Sequence, residues 1–446
     1  MAGNVLEYIS ERAFFKLPKL RALDLQENNL IEFSTESFQD VSDEETPFAV
    51  NASRNRITSL SGDSTVFINM IDLSYNLIEY LSKSFFDSVG LHLRRLILSY
   101  NRLTHIDNVG FGSLPKLEIL SLRGNNISVV KKRAFAEVSS LQILDLSLNQ
   151  LPQLAVEQFH TLRRLRHLRL DDNALRSLPR DAFRNTVLEH LDLSGNRLAI
   201  FPSGALAQVG FTLRRLELAR NLLEHLDAAM LRAVPFVCEL GLAGNALTVL
   251  ADNTFAGLAR LHRLDLSSNY IKSNFKELFH NLPKLRRLAL ASTGLKTVPH
   301  LPLADLTELD LGSNRITSYR ENDVTKLVEL RVLNLCNNRF TSLQPSMWAA
   351  FRRLTSLDVA GNPVTRITRG SFEGLDRLQH LRAHELRLDA VEPRAFRSLR
   401  SLRSLDEQRI SIKIFMTLYL MFTDFKIWSV TVWLFHFICD ILQFYK

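Results

Sequence analysis

Apolar and polar positions along this chain follow two nested periods. Within residues 141–159, leucine stands at 141, 144, 146 and 151, asparagine at 149 and phenylalanine at 159. The same template stands 24 residues earlier at Leu117, Leu120, Leu122, Asn125, Ile127 and Phe135, and 24 residues later at Leu165, Leu168, Leu170, Asn173, Leu175 and Phe183. In L-x-L the two leucines alternate with outward residues, which predicts a short strand with one buried face. One copy cannot bury its own leucines, so copies must stack, with parallel strands roughly 4.8 Å apart. Each leucine buried this way contributes about 1.5–3 kcal/mol.

The template asparagine recurs at Asn4, Asn28, Asn55, Asn76, Asn101, Asn125, Asn149, Asn173, Asn196, Asn221, Asn245, Asn269, Asn314, Asn338 and Asn362. The frame still fits at Thr293 and Leu386, giving 17 frames up to about residue 405. The asparagine follows the strand, where the chain turns inward and leaves backbone groups unpaired. A buried amide can satisfy them from one copy to the next, which makes this a structural ladder. Ten residues on comes a phenylalanine (Phe14, Phe38, Phe111, Phe135, Phe159, Phe183, Phe255, Phe279, Phe372, Phe396), replaced by Leu206, Leu231 and Trp348. These side chains fill the wider side of the stack. The pattern L-x-x-L-x-L-x-x-N-x-L is the leucine-rich repeat signature. It predicts an α/β leucine-rich repeat solenoid: a right-handed horseshoe with a parallel sheet on the concave side and an irregular or short-helical convex side.

Residues 1–405 are expected to form this solenoid, and 406–446 a non-repeat hydrophobic tail. Asn4, Leu6, Ile9 and Phe14 are already in frame, so the chain opens in mid-repeat without a polar cap or an apolar leader. That start reads as a fragment of a longer protein. In the tail, the uncharged runs 414–423 and 427–439 are 10 and 13 residues long. Spanning a bilayer takes about 20, and Asp424 and Lys426 lie between the runs. A non-native or misjoined tail is the first expectation; a membrane-associated end and an unusual cap are the alternatives.

Charge adds little. The net charge is +8, and so diffuse an excess does not argue for nucleic acid. Arginines precede many strand leucines (Arg21, Arg94, Arg95, Arg166, Arg214, Arg215, Arg263, Arg286, Arg287, Arg331, Arg403). Acids stand between the strand leucines (Asp24, Asp72, Asp145, Asp192, Asp265, Asp310, Asp358). Both columns are expected on one solvent face, pairing with each other; a charged rail for an acidic partner is the alternative. Cys238 and Cys336 are about four repeats apart, on the order of 20 Å by strand spacing, too far for a disulfide. The third cysteine is Cys439.

Catalytic and cofactor motifs are absent: there is no G-x-S-x-G, H-E-x-x-H, phosphate-binding glycine loop or C-x-x-C. His167 and His190 share an outward column on adjacent copies, and His380 and His384 share the outward face of one strand. Without a third ligand, neither pair predicts a metal site. Two N-x-S/T sequons make Asn51 and Asn126 glycosylation candidates. The best binding candidate is the concave face in the first third of the chain. Its outward residues there are Tyr75, Ile97, Tyr100, Arg123, Ile143 and Leu148, with Arg169 further along the same face, and exposed aromatic and apolar residues of this kind are enriched at interfaces.

The 24-residue repeat with its phenylalanine resembles the "typical" class of extracellular leucine-rich repeats, over residues 1 to about 405. It does not look like the longer, alternating repeats of the cytosolic class. Within the family, a long run without cysteine caps looks most like the chaoptin type, arthropod adhesion proteins with a lipid anchor. The resemblance implies no enzyme and no cofactor, but a protein-recognition module of a cell-surface adhesion protein, membrane-anchored in its full-length form. Its implied partner is a protein, with homophilic binding included; membrane association would come through a missing anchor or the C-terminal tail. A Toll-like immune receptor ectodomain and an intracellular repeat scaffold are the alternatives.

Overall fold

The computed structural model describes residues 1–406 except 42, 109 and 320, and does not describe the side chain of Glu321. The described residues fall into two compact units. The first is Met1–Glu224 with Ala229–Leu240; the second is His225–Ala228 with the chain from Gly241 onward. Of the expected tail, only Asp406 is described, and it closes the strand Ser404–Asp406. Cys439 lies outside the described residues.

In the first unit the alternating leucines form the predicted strands. Ile119–Ser121, Ile143–Asp145 and His167–Arg169 lie parallel, with Leu120, Leu144 and Leu168 in direct register. The ladder extends from Ala22–Asp24 through Phe48–Asn51, Ile68–Asp72 and Arg95–Ile97, and onward to His190–Asp192 and Arg215–Glu217. In the second unit the same parallel register links Arg263–Asp265, Arg287–Ala289, Glu308–Asp310, Val332–Asn334, Ser356–Asp358, His380–Arg382 and Ser404–Asp406. The strands are three to five residues long because each repeat has only one or two inward positions before it must turn.

Asn149 shows how a ladder amide bonds, whereas Asn4 is exposed and, among the described residues, bonds only within its own repeat, to Met1 O and Ala2 O. Asn149 Nδ2 donates to Leu122 O of the preceding repeat at 3.0 Å and to Leu146 O and Ser147 O of its own at 3.0 and 3.1 Å. Its Oδ1 accepts Ile127 N–H at 2.9 Å. Each such amide therefore stitches two repeats together with bonds that water cannot replace. At Thr293 the stitch is shorter: the hydroxyl donates to Leu290 O of its own repeat at 2.7 Å. Leu386, where the amide is also lost, is half-buried.

Behind the sheet, the phenylalanines form a stacked column. Phe111, Phe135, Phe159 and Phe183 follow at ring separations of 6.2, 5.9 and 6.3 Å, and Phe255 stacks on Phe279 at 6.3 Å. Leu206, Leu231 and Trp348 are buried in their places. Trp348 Nε1 donates to Ser371 O at 2.6 Å, so its polar edge is satisfied. The return segments are mostly turns, with short helical pieces such as Lys83–Val89 and Pro345–Trp348.

Candidate functional site

The core positions repeat, so any site must lie in the outward positions. Four outward columns cross the sheet face: the residues before and after each strand leucine, the residue two before each ladder asparagine (Arg123, Ser147 and Asp171 stand there), and the residue immediately preceding that asparagine. That last residue turns the chain off the strand and adopts a left-handed backbone. Tyr75, Tyr100 and Leu148 stand there with φ of 55°, 58° and 52°. Tyr75 N–H donates to Ser99 O at 2.9 Å and Tyr100 N–H to Arg123 O at 2.7 Å, so bonds to the next repeat hold the conformation. For a bulky side chain this backbone costs about 1–2 kcal/mol.

In return, the side chains stack into a row. The Tyr75 and Tyr100 rings lie 4.5 Å apart and 12° from parallel. The Arg54 guanidinium caps the row, 4.9 Å over the Tyr75 ring, with Glu27 3.9 Å beyond it. At the other end the Tyr100 ring lies over Gly124, where a Cβ would stand 2.5 Å from Tyr100 Cδ1. Only glycine leaves room for the ring. Tyr75 remains 46% exposed, so the row presents an aromatic edge to solvent.

A polar network braces the row. Arg123 Nε donates to Tyr100 Oη at 3.2 Å, and its guanidinium donates to Ser147 Oγ at 2.6 Å. The same guanidinium lies 3.7 Å from Asp171. Asp171 is buried and receives both Nε and Nη2 of Arg169 at 3.0 Å; Asp145 lies 3.8 Å from that arginine. The structure thus brings together Tyr75, Tyr100, Arg123 and Arg169, the last two through Asp171. Asp171 was missed in the sequence, although it is an acid where most other repeats carry serine, alanine or glycine.

The apolar candidates lie on the same sheet without forming one cluster. Ile97 and Ile143 occupy different outward columns two repeats apart, both half-buried. Ile143 instead pairs in register with Ile119, a half-buried residue that its 24-residue offset from Ile143 would have revealed. Leu148 stands in the tyrosine column, separated from Tyr100 by Gly124. Asn51 closes the strand Phe48–Asn51 on the sheet face, whereas Asn126 lies in a loop.

The charge columns require a correction. Each strand acid first caps its own backbone: Asp72, Asp145, Asp192 and Asp265 accept the N–H of Ser74, Ser147, Ser194 and Ser267 at 2.9–3.0 Å. Such a local turn needs an acceptor two residues before the N–H, which explains the acid better than a counter-charge does. The predicted arginines pair with other acids: Arg94 with Glu118 at 2.6 Å, Arg286 with Asp305 at 3.1 Å, Arg287 with Glu308 at 3.0 Å, and Arg166 with Glu189.

His167 and His190 do meet, edge to face at 4.5 Å between centroids. They line a shallow hollow of about 450 Å³ together with Ile143, Arg169, Asp192, Arg215 and Glu217. Burial holds the His167 imidazole below its ordinary pKa, and the neighbouring His190 pushes the same way. His380 and His384 do not share a strand. His384 lies past the end of His380–Arg382, with Nδ1 3.5 Å from Asp406. Among the described residues, no group of three or more His, Cys, Asp or Glu is placed to hold a metal ion. Cys238 and Cys336 are both free. No helix among the described residues is long and apolar enough to cross a membrane.

Comparison with known proteins agrees with this geometry. The family model described as leucine rich repeat matches 91–151, 139–198, 163–209, 235–295, 304–364 and 352–406, and a BspA type leucine rich repeat region matches 2–100. Chaoptin of Drosophila melanogaster is 34% identical over 375 residues, covering 80% of this chain and 28% of chaoptin. Podocan of Mus musculus is 28% identical over 421 residues, covering 91% of this chain and 66% of podocan. The chain thus spans less than a third of chaoptin and about two thirds of podocan. The solved Drosophila Toll–Spatzle complex matches with a TM-score of 0.63 at 19% identity, over 83% of this chain and 54% of that one, a likeness of fold alone. The stacked strands, the asparagine ladder and these matches together place the chain in the leucine-rich repeat family.

Proposed function

We propose that this chain is the recognition module of a cell-surface adhesion protein and binds a protein partner through the sheet face of its first unit. The observation that carries this is the Tyr75–Tyr100 row, held in left-handed backbone and braced by Arg54 and Arg123. Aromatic and arginine side chains that are already ordered lose little entropy on binding, and they dominate protein interfaces. Ile97, Ile119 and Ile143 extend the contact, and the compensated ions around Asp171 form its polar border. Nothing in this arrangement activates a nucleophile or moves a proton, so the module works by binding rather than catalysis.

Similarity to chaoptin favours adhesion at the cell surface, with a second copy of the chain as the first partner to test. Beads coated with the purified chain should cluster, and Tyr75→Ala with Tyr100→Ala should abolish clustering. Wild-type beads that stay dispersed would count against self-recognition. A second reading, a receptor ectodomain for a different protein ligand, draws on the similarity to Toll-like receptor 3 of Bos taurus, 28% identical over 58% of this chain and 31% of that protein. It predicts dispersed beads together with tyrosine-dependent capture of a protein in solution.

A further inference from the structure

The two sequons of this chain are chemically alike in sequence and unlike in the fold. We infer that Asn126 alone carries N-linked sugar in the folded protein and that Asn51 stays bare. Transfer requires passage through a secretory lumen, so this assignment rests on the cell-surface function proposed above.

Asn51 is the last residue of a strand flanked by Ala22–Asp24 on one side and Ile68–Asp72 on the other. Both ends of its amide are engaged. Nδ2 donates to Gln26 Oε1 at 3.1 Å, and Oδ1 accepts Ser53 N–H at 3.1 Å. That second bond is the one the strand aspartates make elsewhere, so Asn51 serves here as a backbone cap. Its sequon serine, Ser53, is 7% exposed. A sugar on Nδ2 would have to rise from the middle of the parallel sheet while leaving this cap intact, and it would stand two repeats from Tyr100.

Asn126 differs in every respect. It follows the ladder amide Asn125, lies in a loop and is exposed. Its backbone N–H is bonded to Leu103 O at 2.9 Å, while its side chain makes no hydrogen bond among the described residues. The sequon hydroxyl belongs to Ser128, which is also exposed. Arg102 and Gln150 hold the matching position in the neighbouring repeats and are exposed as well, so the surroundings of Asn126 are hydrated. A bulky hydrophilic group there displaces only water. Asn126 lies in the loop after the strand, two residues past Gly124.

The test is to express the full chain behind a secretory leader in a eukaryotic host and digest it with an N-glycosidase. One downward mobility shift is expected for the wild type. The shift should vanish in Asn126→Gln and in Ser128→Ala, and persist unchanged in Ser53→Ala. Mass spectrometry after digestion should find the asparagine-to-aspartate conversion at 126 only. Chain retained in the host is digested in the same way, so poor secretion does not block the measurement. A shift that survives Asn126→Gln, or shrinks in Ser53→Ala, overturns the assignment, as does a wild type without sugar. None of these outcomes bears on bead clustering, which tests the recognition function separately.

Discussion

The two units use one scaffold to present unlike faces. Ahead of the ladder position, the first unit places Tyr75, Tyr100 and Leu148, and the second places Ser268, Ser313 and, before Thr293, Ser292. All six share the left-handed backbone, with φ between 52° and 58°. The turn is therefore required by the repeat, while what it presents is free to vary. Serine there exposes a small polar group. A tyrosine accepts the same strain and builds a stack that reaches the next repeat. The strand acids differ too: in the second unit Asp310 is buried enough for its carboxyl pKa to lie above the ordinary value. The difference separates what holds the repeat from what the repeat displays, and mutations at the two kinds of position should fail differently.

The largest effect should come from the ladder. Asn149→Ala removes the donor to Leu122 O and Leu146 O and the acceptor of Ile127 N–H. Leaving these buried groups unpaired should cost about 3–5 kcal/mol in all, read as a drop in the urea midpoint. Amide exchange should accelerate first at Ile127, whose N–H loses its acceptor. A uniform loss of protection across both units would show instead that the repeats do not behave as neighbours in a one-dimensional stack. Next comes the tyrosine row: Tyr75→Ala should weaken partner binding tenfold or more, about 1.4 kcal/mol. Stability should change by less than binding, since the substitution also leaves Tyr100 on its own support from Arg123.

How far the chain announced all this depends on the kind of position. Leu120, Leu144 and Leu168 had to share a register, because only one face of L-x-L can be buried. Asn149 had to be buried, because the turn after a strand leaves donors and acceptors that need a partner. Outward positions carry no such constraint. Period placed Tyr75 and Tyr100 on one column, but not their left-handed backbone or their stacking. Asp145 was legible as an outward acid, while its bond to Ser147 N–H depends on a local turn that charge arithmetic cannot see. Asp171 escaped notice because a single acid in a column of mostly small residues has no period. Its importance comes from two arginines that reach it from separate repeats.

A smaller effect should appear where the second unit departs from the ladder. The Thr293 hydroxyl donates to Leu290 O at 2.7 Å and lies 3.3 Å from Asn314 Oδ1, which also accepts Thr293 N–H and Leu295 N–H. Thr293→Asn would place an amide able to reach Leu266 O of the preceding repeat and to offer its oxygen to Ile271 N–H, as Asn269 does for Leu247. A gain of about 1 kcal/mol is expected, measured as a rise in urea midpoint. A loss would mean that the shortened spacing around Thr293 no longer admits the longer side chain.

The smallest effect is electrostatic, and its sign differs between the units. His167 is partly buried against His190, and its folded pKa is depressed. The folded state therefore favours the neutral imidazole. The stability this group supports is whole above the unfolded value, about 6.5, and falls as pH drops through that value toward the folded one. Asp310 behaves in the opposite way: its folded pKa is raised by burial, so the protein gains stability as pH falls through that raised value toward the unfolded one. Lowering the pH from 7.5 to 5.5 should therefore lower the urea midpoint slightly, and His167→Gln should flatten that slope. Asp310→Asn should remove the opposing gain on the acid side. If His167→Gln leaves the slope intact, the imidazole pair is too well solvated to feel its neighbour, and the hollow it lines is an ordinary wet surface.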